Sequence, residues 1–96
     1  MQIVNVTFEG LPHHAPVPPA NLELRGAAPL REVLLALAAL LVKHGGAASP
    51  VAHGLAVGEV RCAGRSSTAL GKAAKARALF GPEERAEAVV TVVTVV

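Results

Sequence analysis

The stretch from Gly64 to Lys72, GRSSTALGK, brings together two glycines, three hydroxyl side chains and a lysine, the residue types that cradle phosphate. A nucleotide-hydrolysing loop follows the spacing G-x-x-x-x-G-K-[ST]. Its backbone N–H groups wrap one phosphate while the lysine and the hydroxyl reach the next phosphate and its magnesium. Here six residues separate Gly64 from Gly71, and Ala73 follows Lys72, so that chemistry is excluded on spacing and on the missing magnesium ligand. Two plainer uses remain. Ser66 or Ser67 can cap a helix by accepting a backbone N–H, and a helix N-terminus flanked by Arg65 and Lys72 attracts an anion. The competing reading of the same residues is a capped surface helix with solvated charges.

Other reactive side chains give less. His13 and His14 are adjacent, so on an extended chain they point apart, and with His44 and His53 they form no H-x-x-x-H spacing; no metal and no cofactor is expected. Cys62 stands between Arg61 and Arg65, which would lower its thiol pKa if it were exposed, but a lone cysteine in a strand is expected to be buried. The chain has no Asp, and Glu83, Glu84 and Glu87 fall in one charged turn. No nucleophile–base pair can be assigned, and the expectation is a protein that is not an enzyme.

Composition narrows the partners. The 96 residues suit one domain, 52% hydrophobic but built on Ala, Val and Leu, with Phe8 and Phe80 the sole aromatic residues. Binders of single-stranded nucleic acid stack bases on exposed rings, so that mode is disfavoured. The net charge is only +2, yet from Val60 to Pro82 the charged residues are Arg61, Arg65, Lys72, Lys75 and Arg77, with no carboxylate among them. Such a locally basic segment suits phosphate contacts. One cysteine allows no internal disulfide, the N-terminus lacks a signal-peptide pattern, and the apolar run Val33 to Val42 is half the roughly 20 residues of a membrane span. A soluble, cytoplasmic protein without membrane contact is expected.

The elements that must position these residues follow from periodicity. Gln2 to Phe8 alternates as a strand, a proline-rich connector occupies 11–20, and Leu22 to Arg25 is a second short strand closed by Gly26. Pro29 suits the first position of a helix that runs through LREVLLALAALLVKH to Gly45-Gly46. Leu30, Val33, Leu34, Leu37, Leu40 and Leu41 form its core stripe, while Leu35 and Val42 make a second apolar patch round the helix, expected to meet another subunit. GLAVGEVRC reads as a strand. A second helix then runs from Ser66 or Ser67 to Phe80-Gly81, with Ala69, Ala73, Ala76 and Phe80 on its packing face and Lys72 and Lys75 on one flank. AVVTVVTVV is a final strand, expected to be buried on both faces or paired with a partner chain. The fold class is α/β (α+β), a single domain in the order β-β-α-β-α-β with two helices on a small mixed sheet.

The run LELRGAAPLREVLLALAALLVKHGG followed by EVRCAGRSSTALGKAAKARALFG resembles the Alba superfamily and the related stage V sporulation protein S family. The shared pattern is a short strand, a turn with Gly and Pro, a helix rich in Ala and Leu, a strand, a small-residue turn and a second helix, matched here at Ala69, Leu70, Lys72, Ala73 and Ala76. The resemblance covers roughly Leu22 to Gly81. It implies a homodimer or higher oligomer that binds DNA or RNA by its backbone phosphates with little sequence reading. Residues carried over are Arg25 in the turn before the first helix and Gly64-Arg65 with Lys72 at the second, where the reading of the helix N-terminus as an anion site adds Ser66 and Ser67. Arg61 and Lys75 extend the patch, and Leu35 and Val42 fall to the oligomer interface. The family's β-hairpin arm has no counterpart before the last residue, Val96, and the extra N-terminal strand is expected to pair with the C-terminal strand in its place. The alternative function is a protein–protein assembly module without nucleic acid. A small-anion or nucleotide-binding regulator at Gly64 to Lys72 is the third reading.

Overall fold

Val4, Val6 and Phe8 are buried while Asn5, Thr7 and Glu9 between them are exposed, the period-two pattern of a strand with one face on a core. This is β1 (Gln2–Glu9) of a computed structural model that describes residues 1–11, 16–25, 27–44 and 54–94. The chain continues through β2 (Ala20–Leu24), α1 (Leu30–His44), β3 (Leu55–Cys62), β4 (Arg65–Ser66), α2 (Ser67–Leu70), α3 (Ala76–Phe80) and β5 (Arg85–Thr94). The strands form one mixed sheet in the order β2-β1-β5-β3-β4. The N-terminal strand lies beside the C-terminal one: β1 pairs with β5 in parallel, from Ile3 opposite Arg85 to Glu9 opposite Thr91. β2 and β3 run antiparallel to β1 and β5 respectively.

Leu30, Val33, Leu37 and Leu41 recur at helical spacing and are fully buried, so α1 lays one stripe on the sheet. They join Val4, Val6, Phe8, Val60, Ala88, Val90 and Val92 from the strands and Leu79 and Phe80 from α3 in one core. Cys62 is buried in the same cluster. Leu34 and Leu40 of the expected stripe are half-buried at its margins. No helix among the described residues is long and apolar enough to cross a membrane.

Two expectations need correction. β5 is not buried on both faces. Its β-branched run serves a central strand paired with β1 from Arg85 to Thr91 and with β3 from Val89 to Thr94, but helices cover only the face bearing Ala88, Val90 and Val92. Val89 and Thr91 on the other face are half-buried and Val93 is exposed. The second helix is likewise not continuous. Gly71 ends α2 after one turn with φ +79° and ψ 160°, and α3 starts only at Ala76, so the described residues hold three helices rather than two. Ala69 and Ala73 are therefore exposed and do not share a packed face with the buried Ala76 and Phe80.

A short hairpin between β3 and α2 was not foreseen. Ala63 (φ 48°) and Gly64 (φ 82°) form its two-residue tip, and Arg65 and Ser66 pair back onto Cys62 and Arg61. Positive φ at both tip positions is the requirement of a tight hairpin, usually met by Asn-Gly rather than Ala-Gly, so the local signal is weak. β4 lasts only two residues, and where it stops the buried Ser67 hydroxyl accepts a hydrogen bond from the Val60 N–H at 3.0 Å. A side chain thus replaces the missing strand partner. Ser67→Ala leaves that buried N–H unsatisfied and is expected to cost about 1–3 kcal/mol in a urea melt, with the fold retained.

Candidate nucleic-acid interface

The residues proposed from the sequence divide into two groups. Arg25 closes β2 and begins a turn in which the Ala28 N–H donates to the Arg25 carbonyl at 3.0 Å. That turn leads into α1 and is met there by the linker between α2 and α3. The Leu30 N–H donates to the Ala74 carbonyl at 2.6 Å and the Arg31 N–H to the Lys72 carbonyl at 3.0 Å. In return the Ala76 N–H donates to the Ala28 carbonyl at 2.8 Å, and Pro29 and Lys75 form an isolated antiparallel bridge.

This main-chain junction has two consequences. First, donors at the start of α1 that would otherwise face solvent or an anion are spent on carbonyls of the chain itself, so the end of α1 is sealed. Second, the linker carries Lys72 and Lys75 to the turn that carries Arg25 and to the first turn of α1 with Arg31. All four side chains belong to exposed residues, and none takes part in an ion pair among the described residues. Glu32, in the first turn of α1, is the carboxylate nearest in sequence to this junction. Lys72 and Lys75 are thus not on the flank of a helix; Lys72 is in the linker and Lys75 is the residue before α3. Arg31 was absent from the sequence-derived set, because its position in a helix said nothing of a linker docking beside it.

The remaining candidates are engaged elsewhere. Arg61 points from β3 onto the uncovered sheet face, where it pairs with Glu9 and, at 3.4 Å, with Glu59; Glu9 also accepts from the Thr91 hydroxyl at 3.3 Å. Two carboxylates against one guanidinium leave no net positive charge there. Arg65 sends its Nε–H to the Leu79 carbonyl at 2.7 Å, at the end of α3 opposite to Lys75. Ser66 caps α2, accepting from the Thr68 N–H at 3.3 Å and sharing a 2.8 Å hydrogen bond with the Thr68 hydroxyl. Ser67 is committed to Val60. A helix of one turn has little macrodipole to offer an anion.

Leu35 and Val42 are 69% and 59% exposed on the outer side of α1, the largest apolar side chains left uncovered on that helix. Phe8 and Phe80 are both buried, so neither phenyl ring is available for base stacking. His13, His14, the His44 side chain and His53 lie outside the described residues. Among the described residues no group of His, Cys, Asp or Glu has metal-binding geometry. No protein-family model, no curated protein and no solved structure matches the chain.

Proposed function

We propose that this protein binds duplex nucleic acid, DNA or RNA, through backbone phosphates at the junction of the 25–31 turn and the 72–75 linker. The observation that carries this reading is the set of main-chain bonds bringing Lys72 and Lys75 to Arg25 and Arg31, four cations without a carboxylate partner among the described residues. Phosphate contacts of this kind position a protein on a duplex without reading sequence. The burial of both Phe rings supports a duplex over a single strand. The resemblance of this region's sequence to the Alba superfamily points the same way, although the second helix that carries part of it is interrupted at Gly71. In this reading Arg65, Ser66 and Ser67 hold the scaffold rather than the ligand, and Arg61 is neutralised by Glu9 and Glu59. No catalytic step is part of the proposal.

A second reading, self-assembly through α1, is favoured by the exposure of Leu35 and Val42. The two readings are compatible, since α1 presents its apolar patch beyond the turn that carries Arg31.

Fluorescence anisotropy with labelled duplex DNA and duplex RNA over a salt series tests the first reading. Binding is expected to weaken linearly in log Kd against log salt, and Lys72→Ala/Lys75→Ala should reduce the slope by about 2. Absence of binding at low salt, or an unchanged slope in the double variant, overturns it. Sedimentation velocity tests the second: the wild type should sediment as a dimer or larger, and Leu35→Glu/Val42→Glu as a monomer of unchanged fold. A monomeric wild type removes the assembly reading.

A further inference from the structure

The β3 ladder on β5 ends at Arg61 opposite Val89, after which β3 turns away into its hairpin. β5 continues to Arg85 with only β1 pairing its first residues, so the main chain from Arg85 to Ala88 lacks a strand partner on the β3 side. An open cleft of about 780 Å³ lies where the strands part, and Cys62 and Ala63 of the hairpin line it together with Arg85 and Glu87 of β5. That volume falls within the range of small-ligand sites.

The cleft is fixed by its surroundings. Gln2 donates from Nε2 to the carbonyls of Gly81 at 2.9 Å and Glu83 at 2.6 Å, and the Ile3 N–H donates to the Glu84 carbonyl at 2.8 Å. The loop between α3 and β5 is therefore tied to the first strand. The Nε bond to Leu79 holds Arg65 on a second side. Gly81, with φ +77°, lies against the guanidinium: a Cβ there would sit 3.1 Å from Nη2 and 3.6 Å from Nη1. Both Nη groups are left without an acceptor among the described residues. A guanidinium held in place with its fork unoccupied is a preorganised carboxylate receptor. Glu83 and Glu87 in the same lining have no ion-pair partner either. Arg85 shares the lining, so the cleft carries two arginines and two carboxylates: the fork of Arg65 offers a place for an anionic group and Glu83 and Glu87 a place for a cationic one.

We infer that this cleft binds the carboxyl-terminal end of an extended peptide bearing a basic side chain. The terminal carboxylate sits on the Arg65 fork, the peptide main chain runs along the β5 edge left open by β3, and the basic group faces Glu83 and Glu87. An unpaired strand edge supplies the alternating N–H and C=O groups that an added peptide strand needs. The partly apolar lining from Ile3 and Phe80 suits an aliphatic side chain beside the carboxylate. The site does not rest on the nucleic-acid reading, because Arg65 engages the end of α3 remote from Lys72 and Lys75.

The experiment is anisotropy of an N-terminally labelled tetrapeptide that contains lysine and ends in a free carboxylate, measured beside the same peptide amidated at its C-terminus. The free acid should bind about ten- to a hundredfold more tightly than the amide. Arg65→Lys, which keeps the charge but removes the fork, should abolish most of that difference. Because Arg65 also supports α3, Glu83→Gln/Glu87→Gln supplies a variant that leaves the scaffold bonds intact; it should weaken the lysine peptide and leave a lysine-free peptide unaffected. Equal binding of acid and amide, no binding by either, displacement by inorganic phosphate alone with no peptide preference, or indifference to both variants overturns the inference.

Discussion

The docking of the 72–76 linker against the 28–31 turn is the contact on which the arrangement depends. Two N–H groups at the start of a fifteen-residue helix need acceptors, and the chain supplies the carbonyls of Ala74 and Lys72. Satisfying them requires a turn, closed by the Ala74 N–H donating to the Gly71 carbonyl at 3.3 Å, and extended backbone at Lys75, where Ala73, Ala74 and Lys75 would otherwise continue a helix. Local helix propensity, a few tenths of a kcal/mol per residue for such residues, is outweighed by these main-chain hydrogen bonds and by the packing they permit. The same contact sets the side of the molecule on which Lys72 and Lys75 emerge.

Around that junction, charge is sorted by position. Arg25, Arg31, Lys72 and Lys75 share one end of the helical layer without carboxylate partners among the described residues. On the uncovered face of the sheet Arg61 meets Glu9 and Glu59, and at the far end of α3 Arg65 is drawn onto Leu79. A net charge of only +2 thus conceals a cationic end and a neutralised sheet face. The proposed phosphate contacts belong to the first, and the proposed carboxylate receptor uses the one arginine whose Nε is spent on the scaffold while its fork is not.

Much of the fold was legible in the residues. Alternation marked β1, Pro29 marked the start of α1, and the leucine spacing marked its core stripe; each of these signals is local. The placement of β1 beside β5 was also expected, with the N-terminal strand filling a place in the sheet beside the β-branched run, and the two strands pair in parallel. What was not legible depends on tertiary contact. The break at Gly71 follows from the demands of α1, forty residues earlier in the chain, and the hairpin at Ala63-Gly64 uses a tip whose alanine carries little turn signal. For the proposed site, residue type singled out Arg25, Lys72 and Lys75 as candidates, whereas the structural bonds of Arg61, Arg65 and Ser67 and the place of Arg31 beside the linker required the packed chain.

The stability of Gly71→Ala measures the central contact most directly. Gly71 has φ +79° with open space around its Cα, so an added Cβ meets no neighbour and acts through the backbone alone. If the linker docks on α1 as described, alanine must adopt a conformation it disfavours, and a urea melt should show a loss of about 1–2 kcal/mol. If Ser67 to Phe80 were instead one unbroken helix, alanine would replace glycine within it, and the melt would show a gain of about 1 kcal/mol. A gain would contradict the docked linker and the grouping of Lys72 and Lys75 with Arg25 and Arg31.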